Sequence, residues 1–286
     1  MMATLKQRLQ QPGVIKAPGV FDGLSCRLVK NAGFDVGFVS GAGIAFSRFG
    51  VADIGLVTIK EVTDTISAIR EYNDLPLIVD IDTGFGNAIN TQRTVKMLET
   101  AGANAMQMED QVMPKRCGHM QGKDVVATSE MVGKIKAFVD ARASDDTLLV
   151  ARTDALAVNG FDDAMHRAAQ YIDAGADILF VEAPQSYEQM QIIGQEFGDK
   201  VPLVHNLVEG GNSPIDNADM MQSLNYKIAL YPIALLNGFI PKAEHVLSHI
   251  QQTGDTQSYQ QPLWDLQQIN DLLGAGDMLA QAEKYK

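Results

Sequence analysis

Lys115, Arg116, Cys117, Gly118 and His119 follow one another without a break. Cations beside a thiol favour its thiolate and lower its pKa, so Cys117 is placed to act as a reactive acid or nucleophile. Cys26 has no such neighbours and lies in an apolar helical stretch, where it reads as core. The bland alternative for Cys117 is an incidental surface thiol. Zinc is a poor fit, because one Cys and one His two residues apart lack further ligands. The run sits in a long polar segment, Gln111 to Lys123, that follows an apolar strand-like run and occupies the place of an active-site lid.

A second set of chemical residues ends short apolar runs: Ser40-Gly41-Ala42-Gly43, Asp80-Ile81-Asp82, Glu109-Asp110, Arg152-Thr153-Asp154, Glu182 and Asn206. A ring of carboxylates with one Arg and one Asn makes a poor core, since buried unpaired carboxylates are costly. A counter-cation is therefore expected. Asp80, Asp82 and Glu109 can supply hard oxygen ligands, and positions i and i+2 of a strand face the same side. All-oxygen ligands favour Mg²⁺ or Mn²⁺ over Zn²⁺. Any one of these Asp residues could instead cap the next helix. Arg152 could clamp a substrate carboxylate in a bidentate manner, or pair internally with Glu182 or Asp154, and both can hold. Ser40-Gly41 offers a hydroxyl and backbone N–H groups for an anion.

The elements that must position these residues alternate. Strands are predicted at Val14–Ala17, Val36–Val39, Leu77–Ile81, Ala105–Met108, Leu148–Ala151, Ile178–Val181, Leu203–Val204 and Lys227–Leu230. Between them apolar residues recur at helical spacing, as in Gln92–Ala101 and Phe161–Ala174. Asn31-Ala32-Gly33, Thr100-Ala101-Gly102 and Asp173-Ala174-Gly175 each end a helix on a capping Gly before the next strand. Alternating strands and helices predict an α/β fold, a single (β/α)8 barrel over residues 1–286, with about 250–286 as a C-terminal helical extension. That extension packs outside the barrel or against a neighbouring subunit, a frayed tail being the alternative. An open doubly wound sheet would need a GxGxxG turn after its first strand, and Pro18-Gly19-Val20-Phe21-Asp22-Gly23 is not one. Barrel enzymes hold their sites at the C-terminal ends of the strands, where the residues named above fall.

Composition narrows the partners. Of 286 residues, 23 are basic and 35 acidic, giving a net charge of −12. Such a surface repels nucleic acid and anionic lipid, so neither is an expected partner. The N-terminus has no apolar signal core, no stretch reaches membrane-span length, and two distant cysteines make no disulfide framework. A reducing, cytoplasmic setting is expected.

Taken together, Lys115–His119, Val39-Ser40-Gly41, Asp53, the Val79–Gly86 stretch, Met108-Glu109-Asp110-Gln111, Ala151–Ala155 and Val181-Glu182-Ala183 resemble the isocitrate lyase / phosphoenolpyruvate mutase superfamily. The resemblance runs from about Pro18 to Leu247. It implies a homotetrameric barrel that exchanges C-terminal helices, and Mg²⁺ near Asp80 and Asp82, with Asp53 and Glu109 acting partly through water. It implies catalytic roles for Cys117, His119 and Glu182, with substrate contacts from Ser40, Gly41, Gly118, Arg152 and Asn206. In the lyase branch the loop Cys is the general acid. The implied reaction is metal-dependent cleavage of a 2-hydroxy acid to an α-keto acid, such as pyruvate, plus a carboxylic acid.

Departures narrow the substrate. In 2-methylisocitrate lyases one Arg follows the Leu-Tyr-Pro run and another lies near the C-terminus, both holding a further carboxylate. Here Asn237 takes the first place, nothing basic stands at Pro262–Asp265, and no Arg follows Arg167. A tricarboxylate would lose a charged hydrogen bond worth about 1.5–3 kcal/mol. Phe38 stands where those lyases have Tyr. The stretch from Asn206 to Pro214 is closer to the branch acting on substituted malates, such as 2,3-dimethylmalate lyase and the petal-death protein. The expectation is a small anionic 2-hydroxy dicarboxylate. The alternatives are 2-methylisocitrate cleavage, phosphonomutase chemistry or oxaloacetate hydrolysis.

Overall fold

The computed structural model describes residues 4–118, 122–211 and 213–286. In chain order the elements begin with α1 (Leu5–Gln10), β1 (Ile15–Val20), α2 (Gly23–Asn31), β2 (Gly37–Val39) and α3 (Gly41–Ile44), then a π turn, Ala45–Phe49. Next come α4 (Ile59–Arg70), β3 (Leu77–Asp80), α5 (Ala88–Ala101), β4 (Ala105–Glu109), α6 (Thr128–Ala141) and β5 (Leu148–Thr153). They are followed by α7 (Ala155–Asn159), α8 (Phe161–Asp173), β6 (Ile178–Val181), α9 (Tyr187–Phe197), β7 (Val204–Asn206), α10 (Ala218–Ser223) and β8 (Ile228–Tyr231). The chain ends with α11 (Ala234–Thr253), α12 (Leu266–Leu273) and α13 (Ala275–Glu283).

All strand pairings are parallel, in the order β6-β5-β4-β3-β2-β1-β8-β7. A parallel bridge between Leu179 and Leu203 joins the two outer strands and closes the sheet. The fold is therefore a (β/α)8 barrel. Every strand read from the sequence is present, with its ends displaced by a few residues. Gly33, Gly102 and Gly175 all take positive φ after their helices, as capping glycines do.

The alternation of each strand sorts its side chains. Ile15, Ala17, Phe38, Ile78, Ala105, Leu148, Val150, Ile178, Phe180, Val204, Ile228 and Leu230 form one buried cluster inside the barrel. Leu77, Val79, Met106, Met108, Leu149 and Ala151 belong to a separate cluster between strands and helices. One helix escaped the sequence reading. The polar-looking α1 starts on a capping box of Thr4 and Gln7, and its Leu5 is buried in the interior cluster. Two compact units are distinguishable, Met1–Asn237 and Gly238–Lys286. The second holds most of α11 with α12 and α13, and its Trp264, Leu266 and Leu279 are exposed. Among the described residues no helix is long and apolar enough to cross a membrane.

One close approach holds the barrel rim. A Cβ added to Gly19 on β1 would overlap the backbone carbonyl of Pro232, just beyond β8. Backbone cannot yield as a side-chain tip can, so Gly19→Ala is expected to cost about 1–3 kcal/mol, as overpacking does. A urea melt of the variant against the wild type measures this.

Candidate active site

The strand alternation that fills the barrel also builds the site. In six strands, β2 to β7, the interior series continues, two residues on, into a polar side chain: Phe38 into Ser40, Ile78 into Asp80, Ala105 into Gln107 and Glu109, Val150 into Arg152, Phe180 into Glu182, and Val204 into Asn206. All of these line one cavity at the C-terminal ends of the strands, of about 80 Å³. Asp110, one residue past Glu109, is directed away from it. Its carboxylate accepts from Thr153 Oγ1 (2.8 Å), Tyr171 Oη (2.7 Å) and the Asp154 backbone N–H (2.9 Å), which secures the end of β5.

Asp80 and Asp82 meet by a different route from the one expected. β3 stops at Asp80, and Asp82 takes a left-handed backbone (φ 47°) in the turn that continues through Gly84 and Gly86. Such a conformation in a non-glycine residue is strained and persists only where the surroundings enforce it. Asp82 accepts from Lys115 rather than lining the cavity. Ser40 Oγ accepts from Gly43 N–H (3.0 Å), and its own proton remains to be donated. The Gly41 N–H donates to Asp80 Oδ2 at 3.3 Å.

The segment after β4 is anchored at both ends. Gln111 bridges Val125 in antiparallel fashion, and the Val126 N–H donates to the Asp110 carbonyl. The Gln111 side chain grips the Arg116 backbone, its Oε1 accepting from N–H and its Nε2 donating to the carbonyl, both at 2.9 Å. Lys115 is buried, with Nζ 2.5 Å from Asp53 Oδ1 and 2.9 Å from Asp82 Oδ1. These anchors on either side hold the half-buried Cys117 against the cavity. Gly118 lies so close to Arg152 and Glu182 that a Cβ there would overlap Arg152 Nη2 and Glu182 Oε1. His119 lies outside the described residues.

Of the two roles left open for Arg152, the internal pair is present. Its Nε and Nη2 form a fork on Asp154 (2.8 and 3.0 Å), and Nε also faces Glu109 Oε2 at 3.3 Å. Nη1 takes part in none of these bonds, and Arg152 lines the cavity. Burial disfavours its charge, but Asp154, Glu109 and Glu182 outweigh that and raise its pKa. Asp154 shows the converse. Burial alone would push its pKa up, yet Arg152 and Lys123 bring it down to about 2. The folded value lies below the usual 3.8, so the stabilisation is present above pH 4 and lost as pH falls through 2. The shift is worth on the order of 2 kcal/mol. The stability gap between wild type and Asp154→Asn is therefore expected to narrow by that much between pH 5 and 2, read by urea denaturation at each pH.

The remaining carboxylates fit a divalent cation. Burial, then Asp80 and Asp53, push Asp82 up to about 7 although Lys115 pulls it down. Burial raises Glu109 well above the usual carboxylate range despite Arg152. Glu109 Oε1, Gln107 Oε1 and Asn206 Oδ1 are buried without a hydrogen-bond partner. Crowded carboxylates and orphaned oxygen acceptors are what a hard cation relieves. Among the described residues no group of three or more His, Cys, Asp or Glu side chains forms a ready-made cage. Mg²⁺ commonly takes only one or two carboxylates and keeps several waters. The Mg²⁺ positions read from the sequence, Asp53, Asp80, Asp82 and Glu109, all fall around Lys115 and the adjoining strand ends.

Gln107 was absent from the sequence-derived site, and Lys115, Lys123, Asp154 and Gln111 were named from the sequence without the contacts they make. Gln107 could have been found by counting back two from Glu109. The pairings of the lysines could not, since Lys115 reaches Asp53 across 62 residues and Lys123 reaches Asp154 across 31.

Barrel, strand-end carboxylates and thiol loop define a class, and the phosphoenolpyruvate phosphomutase family model matches residues 5–227. The chain belongs to that family, within the PEP mutase/isocitrate lyase superfamily. It is 38% identical to 2,3-dimethylmalate lyase of Eubacterium barkeri over 95% of this chain and 93% of the relative. It is 40% identical to 2-methylisocitrate lyase of Aeropyrum pernix over 96% and 87%. A crystal structure of 2,3-dimethylmalate lyase superposes with a TM-score of 0.91 at 33% identity, covering 99% and 96%. Phosphonopyruvate hydrolase, solved with oxalate and Mg²⁺, does so with 0.84 at 29%, covering 95% and 94%.

Proposed function

We propose that this protein is a Mg²⁺-dependent carbon–carbon lyase that cleaves a substituted malate to an α-keto acid, such as pyruvate, and a carboxylic acid. The observation that carries the substrate class is the apolar part of the cavity wall. Phe38, Phe46, Val208, Pro232 and Ile233 line the cavity. Asn237, at the position of a carboxylate-binding Arg in tricarboxylate lyases, donates to Glu209 at 2.9 Å. An alkyl substituent suits such a wall, whereas a third carboxylate would be desolvated without a partner.

When bound, Mg²⁺ supplies Lewis-acid polarisation of the substrate's 2-oxygen. Asp80 and Asp82 would hold it, with Asp53 and Glu109 close by. Arg152 and the Ser40 hydroxyl orient the substrate carboxylate, and Asn206 and Glu182 border the reacting carbons. A base takes the 2-hydroxyl proton as the C2–C3 bond breaks and C2 becomes the keto carbon; the electron pair goes to the carboxylic-acid fragment, whose carbon Cys117 protonates. His119 is assigned beside it on the family motif. A homotetramer built by exchange of C-terminal helices, in the cytoplasm, belongs to the same reading, supported by the exposed apolar side chains of residues 238–286.

The test is α-keto acid release, pyruvate where the 2-substituent is methyl, from racemic 2-alkyl and 2,3-dialkylmalates, beside 2-methylisocitrate, with Mg²⁺ or EDTA. Metal-dependent turnover of the alkylmalates is expected. Turnover of 2-methylisocitrate alone would overturn the substrate class and select the reading favoured by the 40% identical relative.

A further inference from the structure

Beside the cavity, the buried cation Lys123 has no part yet in this chemistry. Lys123 has only 3% of its side chain exposed. Its Nζ donates to the Gly118 carbonyl at 2.5 Å and to Asp154 Oδ1 at 2.8 Å. Gly118 is the residue after Cys117, and Asp154 is the carboxylate on which the Arg152 fork rests.

We propose that Lys123 is a positioning residue that ties the Cys117-Gly118 backbone to the carboxylate holding Arg152, so that the proton donor and the substrate clamp are set by one ammonium group. The geometry leaves no slack at this point. The backbone at Gly118 already abuts Arg152 and Glu182 so closely that a Cβ would overlap both. On the other side Lys115 and Gln111 hold the chain before Cys117. Lys123 is the charged tie after it. Asp154 is flanked by the two cations, so removing Lys123 leaves the Arg152–Asp154 fork in place. What is lost is the link between that fork and the thiol's backbone. An ammonium donating to a carbonyl and a carboxylate together makes charge-assisted bonds, stronger than neutral ones.

This inference rests on Cys117 acting at this site, but its main readout needs no substrate. Cys26 is fully buried and Cys117 half-buried, so iodoacetamide reports on Cys117. The pH-independent limiting rate measures access to the thiolate rather than its ionisation. Lys123→Met is expected to raise that rate about tenfold or more. It is also expected to lower kcat by about a hundredfold, with KM changed much less, the range of a mispositioned proton donor. Lys123→Arg, which keeps two donors, should recover much of both, and Lys123→Gln should fall between. Circular dichroism confirms folding, and the Gln and Arg variants carry the test if the Met variant does not fold. An alkylation rate equal to wild type in a folded Met or Gln variant overturns the proposal, as does faster alkylation with kcat unchanged. If the wild type turns over none of the diacids, the substrate assignment fails while the alkylation series still decides the role of Lys123.

Discussion

Replacing Cys117 by serine is expected to lower kcat about a thousandfold while leaving Mg²⁺-dependent oxalate binding within about threefold of wild type. A positioned general acid contributes about 10²–10⁴-fold, and the middle of that range is about 4 kcal/mol of barrier. Serine keeps nearly the size of the thiol, so the cavity and its backbone anchors at Gln111 and Lys115 are undisturbed. It is a far weaker acid, so the proton needed after C–C cleavage is not delivered. Single-turnover pyruvate formation measures the first effect and calorimetric titration with oxalate the second. The same variant separates reaction classes within the family. Phosphonomutase chemistry on this metal site leaves no carbon fragment for Cys117 to protonate, and a kcat within tenfold of wild type would move the assignment there.

Arg152→Lys is expected to lower kcat/KM by about 10²–10⁴-fold with little loss of stability. The guanidinium engages Asp154 through two parallel bonds, and a lysine cannot reproduce that fork. Charged hydrogen bonds are worth about 1.5–3 kcal/mol each, and each 1.4 kcal/mol is tenfold. Because Lys retains the positive charge, Glu109, Asp154 and Glu182 keep a counter-ion. Arg152→Met removes it and leaves those carboxylates buried together, which is expected to cost about 3–5 kcal/mol of stability besides the activity. Urea denaturation of the two variants, run beside their kinetics, distinguishes the clamp from the counter-ion. Equal stability loss in both would show that bond geometry, rather than charge, holds this corner of the barrel. A Lys variant within tenfold of wild type in kcat/KM would remove Arg152 from substrate binding.

The two roles of Arg152 show where sequence reading stopped. Its position at a strand end made a clamp or an internal pair equally sound, and only the contacts with Asp154 and Glu109 show that the internal pair is present. Asp80 and Asp82 adjoin, yet the strand alternation invoked for them ends at Asp80, and a left-handed turn carries Asp82 toward Lys115. α1 went unread because it is short and carries only Leu5 and Leu9 among polar residues.

The sequence alone determined the barrel, the order of its strands, the ring of strand-end residues and the family motif around Cys117. These are local signals. Alternation, helical spacing and capping glycines act within a few residues, and the barrel converts them directly into an inside and an outside. The tertiary structure decided which cation meets which carboxylate. Lys115 with Asp53 and Asp82, and Lys123 with Gly118 and Asp154, are choices among many acidic residues in a chain of net charge −12. A lysine side chain carries no local mark of its partner. The pairing is set by where the folded backbone places both ends, and by the cost of leaving either charge buried alone.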